Sequence, residues 1–132
     1  MIAPYEADSQ LAFLNKNGYI NLVISNDTDL ILYGSKSILF SMDKNLKGKL
    51  YNNRKLCKTS SFQIKKFSFD KFLFMCILKG CDYFFPKEKT HFHFIIKSIN
   101  SFFHLESFFR SVICRFHKNQ RIKFLKAFLI YK

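Results

Sequence analysis

Five carboxylates gathered into three short clusters are the residues of this sequence best suited by type and spacing to do chemistry. They occur in Ala3-Pro4-Tyr5-Glu6-Ala7-Asp8, in Asn26-Asp27-Thr28-Asp29 and in Gly80-Cys81-Asp82-Tyr83. The chain holds nine acidic residues against 22 Lys and Arg, so more than half of its negative charge lies in these stretches. Acidic residues scattered for solubility do not group in this way. Ligands for Mg²⁺ or Mn²⁺ do, because hard divalent cations prefer oxygen donors and paired ions at a phosphodiester need several carboxylates. A solvated acidic turn explains any one cluster alone. Three clusters in so basic a chain favour metal-dependent phosphodiester hydrolysis.

Local structure must bring such ligands together. Asp27 and Asp29 are two apart, so in an extended segment both point to one side and can chelate one ion. Glu6 and Asp8 are also two apart, and within a regular helix their side chains would diverge by about 200°. They converge only if Glu6 stands at the helix start, where Pro4 places it. Asp82 is expected just past the end of a helix, with Gly80 allowing backbone or substrate to approach closely.

The elements behind these clusters read as follows. Pro4 opens a helix to about Asn17 with Gly18 as its stop, and Ala7, Leu11 and Leu14 recur at helical spacing. Tyr19 to Ser25 is a β-branched run, predicted as a buried strand with Asp27 and Asp29 at its carboxyl end. Open α/β sheets build sites at such ends. Ile38 to Met42 and Lys49 to Asn52 form two more strands around a turn-rich segment, Asp43 to Gly48. Ser68 caps a helix to about Lys79, with Asp70 in its first turn, where the helix dipole favours negative charge. The fold class is therefore α/β, a sheet flanked by helices.

After Tyr83 the composition changes. Residues 1–83 carry 12 basic and 7 acidic residues, and 84–132 carry 10 and 2; all four glycines precede the break and all four histidines follow it. Two segments are expected, 1–83 and a helical Phe- and Lys-rich tail, 84–132. Phe92 to Phe116 reads as one amphipathic helix. Lys97, Asn100, Ser101, His104, Ser107, Ser111 and Arg115 share one face, and Ile95, Ile99, Phe102, Phe109 and Ile113 the other. Glu106 and Arg110 interrupt the apolar face but stand four apart and can pair. Arg121 to Lys132 gives no clear secondary-structure signal.

At 132 residues the chain has room for one domain, and its net charge of +13 predicts attraction to polyanions, nucleic acid first. Cys57, Cys76, Cys81 and Cys114 include no C-x-x-C pair and no secretory leader is seen, so four reduced thiols in an intracellular protein are expected. Lys97, Glu106 and Arg110 break the most apolar region, so no membrane span and a soluble chain are expected. His91, His93, His104 and Cys114 match no standard structural zinc spacing. The basic and aromatic tail has residues that could stack on single-stranded bases, but a buried Phe face with a solvated Lys face is the simpler reading. Lys65 and Lys66 read as a solvated loop rather than a DNA contact.

The residues of the first segment also resemble a known family. Ala3 to Ala12 (APYEADSQLA), Leu14-Asn15-Lys16-x-Gly18, Asn26 to Leu30 (NDTDL), Tyr33-Gly34 and Met75 to Tyr83 (MCILKGCDY) are similar to the internal domain of the XPG/flap-endonuclease superfamily. Tyr5, the Leu14–Lys16 run, Met42-Asp43 and the Phe-rich approach to Met75 look closest to its exonuclease 1 branch. The resemblance implies a nuclease fold with a largely parallel sheet and two Mg²⁺ ions (Mn²⁺ able to substitute) about 4 Å apart. It implies catalytic, metal-binding roles for all five carboxylates: Glu6 and Asp8 at the first ion, Asp27, Asp29 and Asp82 at the second. It also implies DNA contacts at Glu6, Gly80 and Asp82, action on duplex 5′ ends and flaps in DNA repair, and a nuclear location.

The sequence departs from the family pattern in three ways. Met1-Ile2 correspond to the end of a sheet strand. The family's N-terminal half, with two further Asp ligands, phosphate-gripping basic residues and a helical gateway, is expected to be missing. Lys89-Thr90-His91 replace the Gly-Ile-Gly of a DNA-binding hairpin, and without glycines backbone amides cannot reach phosphates in the same way. Residues 84–132 show no counterpart in the family, and their biased composition equally fits translated intron or a frame error. Two function classes follow: a Mg²⁺-dependent, structure-specific DNA nuclease, here as a truncated chain, and a non-catalytic basic nucleic-acid-binding fragment.

Overall fold

The computed structural model describes residues 2–56, 58, 68–86, 91–101, 105–114 and 116–132. Cys57, Lys65, Lys66, Lys89-Thr90, Phe102, His104 and Arg115, each given a reading above, lie outside the described residues. The chain forms two compact units, residues 1–59 and 60–132, so the composition break at Tyr83 falls inside the second.

The first unit is the α/β one. Helix α1 (Ala7–Lys16) begins three residues later than Pro4, and Gly18 follows it at φ 81°, a left-handed turn. Strand β1 (Val23–Ile24) pairs in parallel with β2 (Ser37–Phe40), and β2 pairs antiparallel with β3 (Lys49–Asn52). The sheet is thus mixed, in the order β1-β2-β3. Between β1 and β2 lies a one-turn helix, α2 (Asp29–Leu32), and after β3 another, α3 (Asn53–Leu56).

The predicted run Tyr19–Ser25 contributes only two strand residues. It is not buried throughout either: Val23 is 2% exposed, whereas Tyr19 and Ile24 are 73% and 55% exposed. The pattern is that of a strand with one face inward, because β1 gains only β2 as a partner among the described residues. Ala12, Val23, Leu30 and Ile38 make the core of this unit, with Leu11, Ile20, Ile31, Tyr33, Phe40 and Tyr51 packed around them. Full burial of a Val, Leu or Ile side chain contributes about 1.5–3 kcal/mol. The β2–β3 hairpin turns through Asp43, whose Oδ1 accepts from the amides of Asn45 and Lys47. Gly48 is required there, since a Cβ would stand 2.6 Å from the carbonyl oxygen of Phe40.

The second unit is helical. Helix α4 (Phe69–Lys79) starts at Ser68, whose Oγ accepts from the Lys71 amide at 3.2 Å, as its sequence predicts. Within the single helix expected over 92–116, the described residues are helical in α5 (Phe92–Ser101) and α6 (Leu105–Ile113). The ambiguous C-terminus is helix α7 (Lys118–Tyr131), which buries Phe124, Ala127 and Tyr131 at helical spacing.

Phe74 of α4 is fully buried and meets the rings of Phe109, Phe124 and Phe128 at centroid distances of 5.2, 4.7 and 5.9 Å. Phe84 adds contacts to Phe116 and Phe124. Phe84, Phe109, Phe116, Phe124 and Phe128 of the tail thus belong to a packed aromatic core, where tilted and edge-on pairs add about 0.5–1.5 kcal/mol each beyond burial. Phe85, Phe92 and Phe94, by contrast, are exposed. Glu106 and Arg110 line a cavity of about 510 Å³ with Asp70, Phe109, Phe128 and Lys132. The ion pair found there joins Lys132 to Asp70 at 3.9 Å, in place of the expected Glu106–Arg110 pair. No helix among the described residues is long and apolar enough to cross a membrane.

Candidate metal centre

Glu6 occupies the N-cap of α1, with extended backbone at φ −81° and ψ 136°, and Asp8 lies in the first turn. This is the arrangement in which residues two apart can converge. The partly positive helix N-terminus favours both carboxylates. Ser9 Oγ donates to the Glu6 carbonyl at 2.9 Å and steadies the start of the helix.

Asn15, near the other end of α1, is 2% exposed and ties the helix to the sheet. Its Nδ2 donates to the Ile20 carbonyl at 3.0 Å, and its Oδ1 accepts from the amides of Lys36 and Ser37 at 2.7 and 3.1 Å. The C-terminal end of α1 is thereby held where the chain leads into β1. A ten-residue helix is about 15 Å long, and its opposite end brings Glu6 and Asp8 to the carboxyl side of β1, beside Asp27.

The segment after β1 is built from side chains that cap backbone. Ser25 Oγ accepts from the Asp27 amide at 3.1 Å, Asn26 Oδ1 from the Ser41 amide at 2.8 Å, and Asp27 Oδ1 from the Asp29 amide at 2.8 Å. Ser41 is held at φ 53°, so Asn26 secures an unusual backbone conformation at the end of β2. Asp27 and Asp29 therefore do not share one side of an extended strand, as the sequence predicted. Asp27 forms an Asx turn and Asp29 opens helix α2. The local competition of Asx side chains for backbone amides wins over extension.

The geometry brings Asp27 to Asp8 instead. Asp8's carboxyl is pushed above its ordinary value, first by partial desolvation, then by the negative charges of Asp27 and Glu6 and a side-chain hydrogen bond with Asp27. Three of the predicted carboxylates thus act on one another at one end of the first unit. Tyr33, the C-cap of α2, donates from Oη to Glu6 Oε2 at 3.1 Å.

Asp82 stands in the second unit, exposed, in a tight turn after α4 where Cys81 and Phe84 exchange backbone hydrogen bonds of 2.9 and 3.0 Å. Gly80 is the C-cap of α4 at φ 120°, a conformation strongly unfavourable for other residues. A Cβ at Gly80 would meet nothing nearer than 3.5 Å, so within the chain its role is conformational rather than to permit a close approach.

These donors are hard oxygens, and Asp8's carboxyl is raised first by partial burial and then by repulsion from Asp27 and Glu6, which a divalent cation would relieve. In chemistry the set fits Mg²⁺ or Mn²⁺. Among the described residues no group of three or more His, Cys, Asp or Glu is already arranged as a metal cage. Cys76, Cys81 and Cys114 are unbridged thiols. Sequence reasoning missed two residues that organise the site. Asn15 was detectable as an amide at helical spacing from Leu11 and Ala12, on the apolar face. Tyr33 gives no local signal, since its hydroxyl reaches Glu6 across 27 residues.

Comparison with known proteins places this arrangement. The family model of the XPG I-region matches residues 1–82. Exonuclease 1 of Drosophila melanogaster is 46% identical over 83 residues, 63% of this chain and 11% of that relative. The DNA damage-inducible protein DIN7 of Saccharomyces cerevisiae is 28% identical over 131 residues, 97% of this chain and 29% of DIN7. A flap endonuclease-1 structure from Methanococcus jannaschii shares the fold at a TM-score of 0.74 and 21% identity, covering 100% of this chain and 38% of the other. Residues 84–132, for which the sequence suggested no counterpart, fall within both of these last likenesses. The chain spans only about a tenth of Exonuclease 1. Nuclease relatives in sequence, a flap-endonuclease fold and carboxylates gathered at the carboxyl end of β1 agree, and the chain belongs to the XPG I-region family.

Proposed function

We propose that this chain is the carboxylate-bearing segment of a Mg²⁺-dependent, structure-specific DNA nuclease of the nucleus, acting on duplex 5′ ends and flaps in repair. The observation that carries this reading is the gathering of Glu6, Asp8 and Asp27, with Asp8's carboxyl raised by partial burial and then by the charges of its neighbours. Such carboxylates are poor salt-bridge partners for one another and good ligands for a hard cation. Glu6, Asp8, Asp27 and Asp29 would hold ions at the carboxyl end of β1, and Asp82 is kept as a ligand on the family resemblance of its motif alone. Bound there, Mg²⁺ supplies an acidified water and charge neutralisation at the phosphate, and Mn²⁺ substitutes for it.

The chain's own residues do the rest. The helix N-terminus of α1 orients Glu6 and Asp8, the Asx turn of Asp27 fixes the start of α2, and the net charge of +13 draws in the polyanion. Gly80 sets the direction of the turn that carries Asp82 and presents a backbone surface without a side chain to the DNA.

A segment exchange tests the reading. Residues 1–83 replace the matching 83 residues of Drosophila Exonuclease 1, and cleavage of 5′-labelled duplex and flap DNA is followed with Mg²⁺. Retained cleavage that falls at least about 10²-fold with Asp8→Asn, Asp27→Asn or Asp82→Asn supports the assignment. A folded, DNA-binding chimera without cleavage would instead favour a nucleic-acid-binding role without catalysis.

A further inference from the structure

The hydroxyl of Tyr33 ends within hydrogen-bonding distance of a carboxylate that the proposed function places on a metal ion. Its ring is half-buried and packed against the core of the first unit, so the hydroxyl is delivered from a fixed base. Tyr33 also closes α2, the short helix that Asp29 opens, and its amide donates to the Asp29 carbonyl at 3.0 Å. One residue therefore touches both carboxylate segments: Asp29 through backbone and Glu6 through its side chain at 3.1 Å.

Glu6 is a side chain on which such a bond has a rotamer to select. It is exposed and precedes the first turn of α1, and its side chain has three rotatable bonds. A phenol hydroxyl that donates to Oε2 restricts the rotation of the carboxylate. A ligand oriented in this way binds a cation without first losing rotamer freedom, the usual action of outer partners on metal-ligating carboxylates.

We infer that Tyr33 is a positioning residue for the metal centre, acting through Glu6. This rests on the metal-binding reading above. Phenylalanine at this position would keep the ring's packing and the backbone bond to Asp29 while removing the hydroxyl that donates to Glu6.

The test is Mn²⁺ binding by the 132-residue chain, followed through the electron paramagnetic resonance of free Mn²⁺. Five proteins are compared: the unmodified chain, Tyr33→Phe, Glu6→Gln, the double variant of these two, and Asp8→Asn. Tyr33→Phe is expected to weaken Mn²⁺ binding about tenfold with no change in Tm. In the Glu6→Gln background the same change is expected to have no further effect, because the hydroxyl works through the carboxylate. If Glu6→Gln weakens binding and Tyr33→Phe does not, the positioning role is refuted while the metal centre stands. Equal losses from Tyr33→Phe in both backgrounds also refute it, since the effect then bypasses Glu6. If neither Glu6→Gln nor Asp8→Asn alters Mn²⁺ binding, the metal-binding reading itself fails.

Discussion

Asp8 carries the clearest tension in the molecule. It is drawn toward Asp27 and Glu6, and its carboxyl is raised by partial burial and by their charges. A group that holds its proton more tightly when folded contributes stability present below the unfolded carboxylate value and lost as pH rises through the folded one. The repulsion is therefore expressed as pH rises above that raised value, and Asp8→Asn removes it. The variant is expected to melt higher than the unmodified chain, by no more than about 4 °C for a substitution of this kind, and to lose divalent-metal binding. Calorimetry with and without Mn²⁺ checks both. A fall in Tm without metal would contradict the repulsion. The residue identities of this cluster were legible in the sequence, because carboxylates in a basic chain stand out. Its geometry was not: the pairing of Asp27 with Asp8 arises from an Asx turn, and nothing in the spacing of Asp27 and Asp29 distinguishes that turn from an extended segment.

Helix α1 and the strand it covers are the element that makes convergence possible. Its position depends on Asn15, which makes hydrogen bonds to Ile20, Lys36 and Ser37 from a buried site. Asn15→Ala leaves two backbone amides and one carbonyl without that partner, and an orphaned buried group costs about 1–3 kcal/mol. A loss of about 2–3 kcal/mol is expected, read from urea unfolding, together with weaker metal binding because Glu6 and Asp8 lose their anchor. Gly80 plays the corresponding part for α4. At φ 120° any side chain is strained, so Gly80→Ala is expected to cost about 1–3 kcal/mol. Helix α4, strand β3 and the Asp43 turn were readable from capping and turn residues. The short β1 was not, because burial on one face alone ends its strand character early.

At the scale of the whole molecule, charge dominates. A net charge of +13 supplies DNA affinity that is electrostatic, and the log of the binding constant is expected to fall linearly with the log of salt, by about 0.9 per phosphate neutralised on duplex. Fluorescence anisotropy across a salt series measures this. A flat response, or a strong preference of this chain for a 5′ flap over plain duplex, would contradict it. The central claim is narrower: the carboxylates at the carboxyl end of β1 hold a divalent ion. Paramagnetic broadening locates such an ion directly. With Mn²⁺ well below one equivalent, the amide resonances of Glu6, Asp8, Asp27 and Asp29 are expected to broaden first. Asp43, Asp70 and Glu106 serve as acidic controls that remain sharp. Broadening spread evenly over all acidic residues, or centred on the controls, would contradict the account.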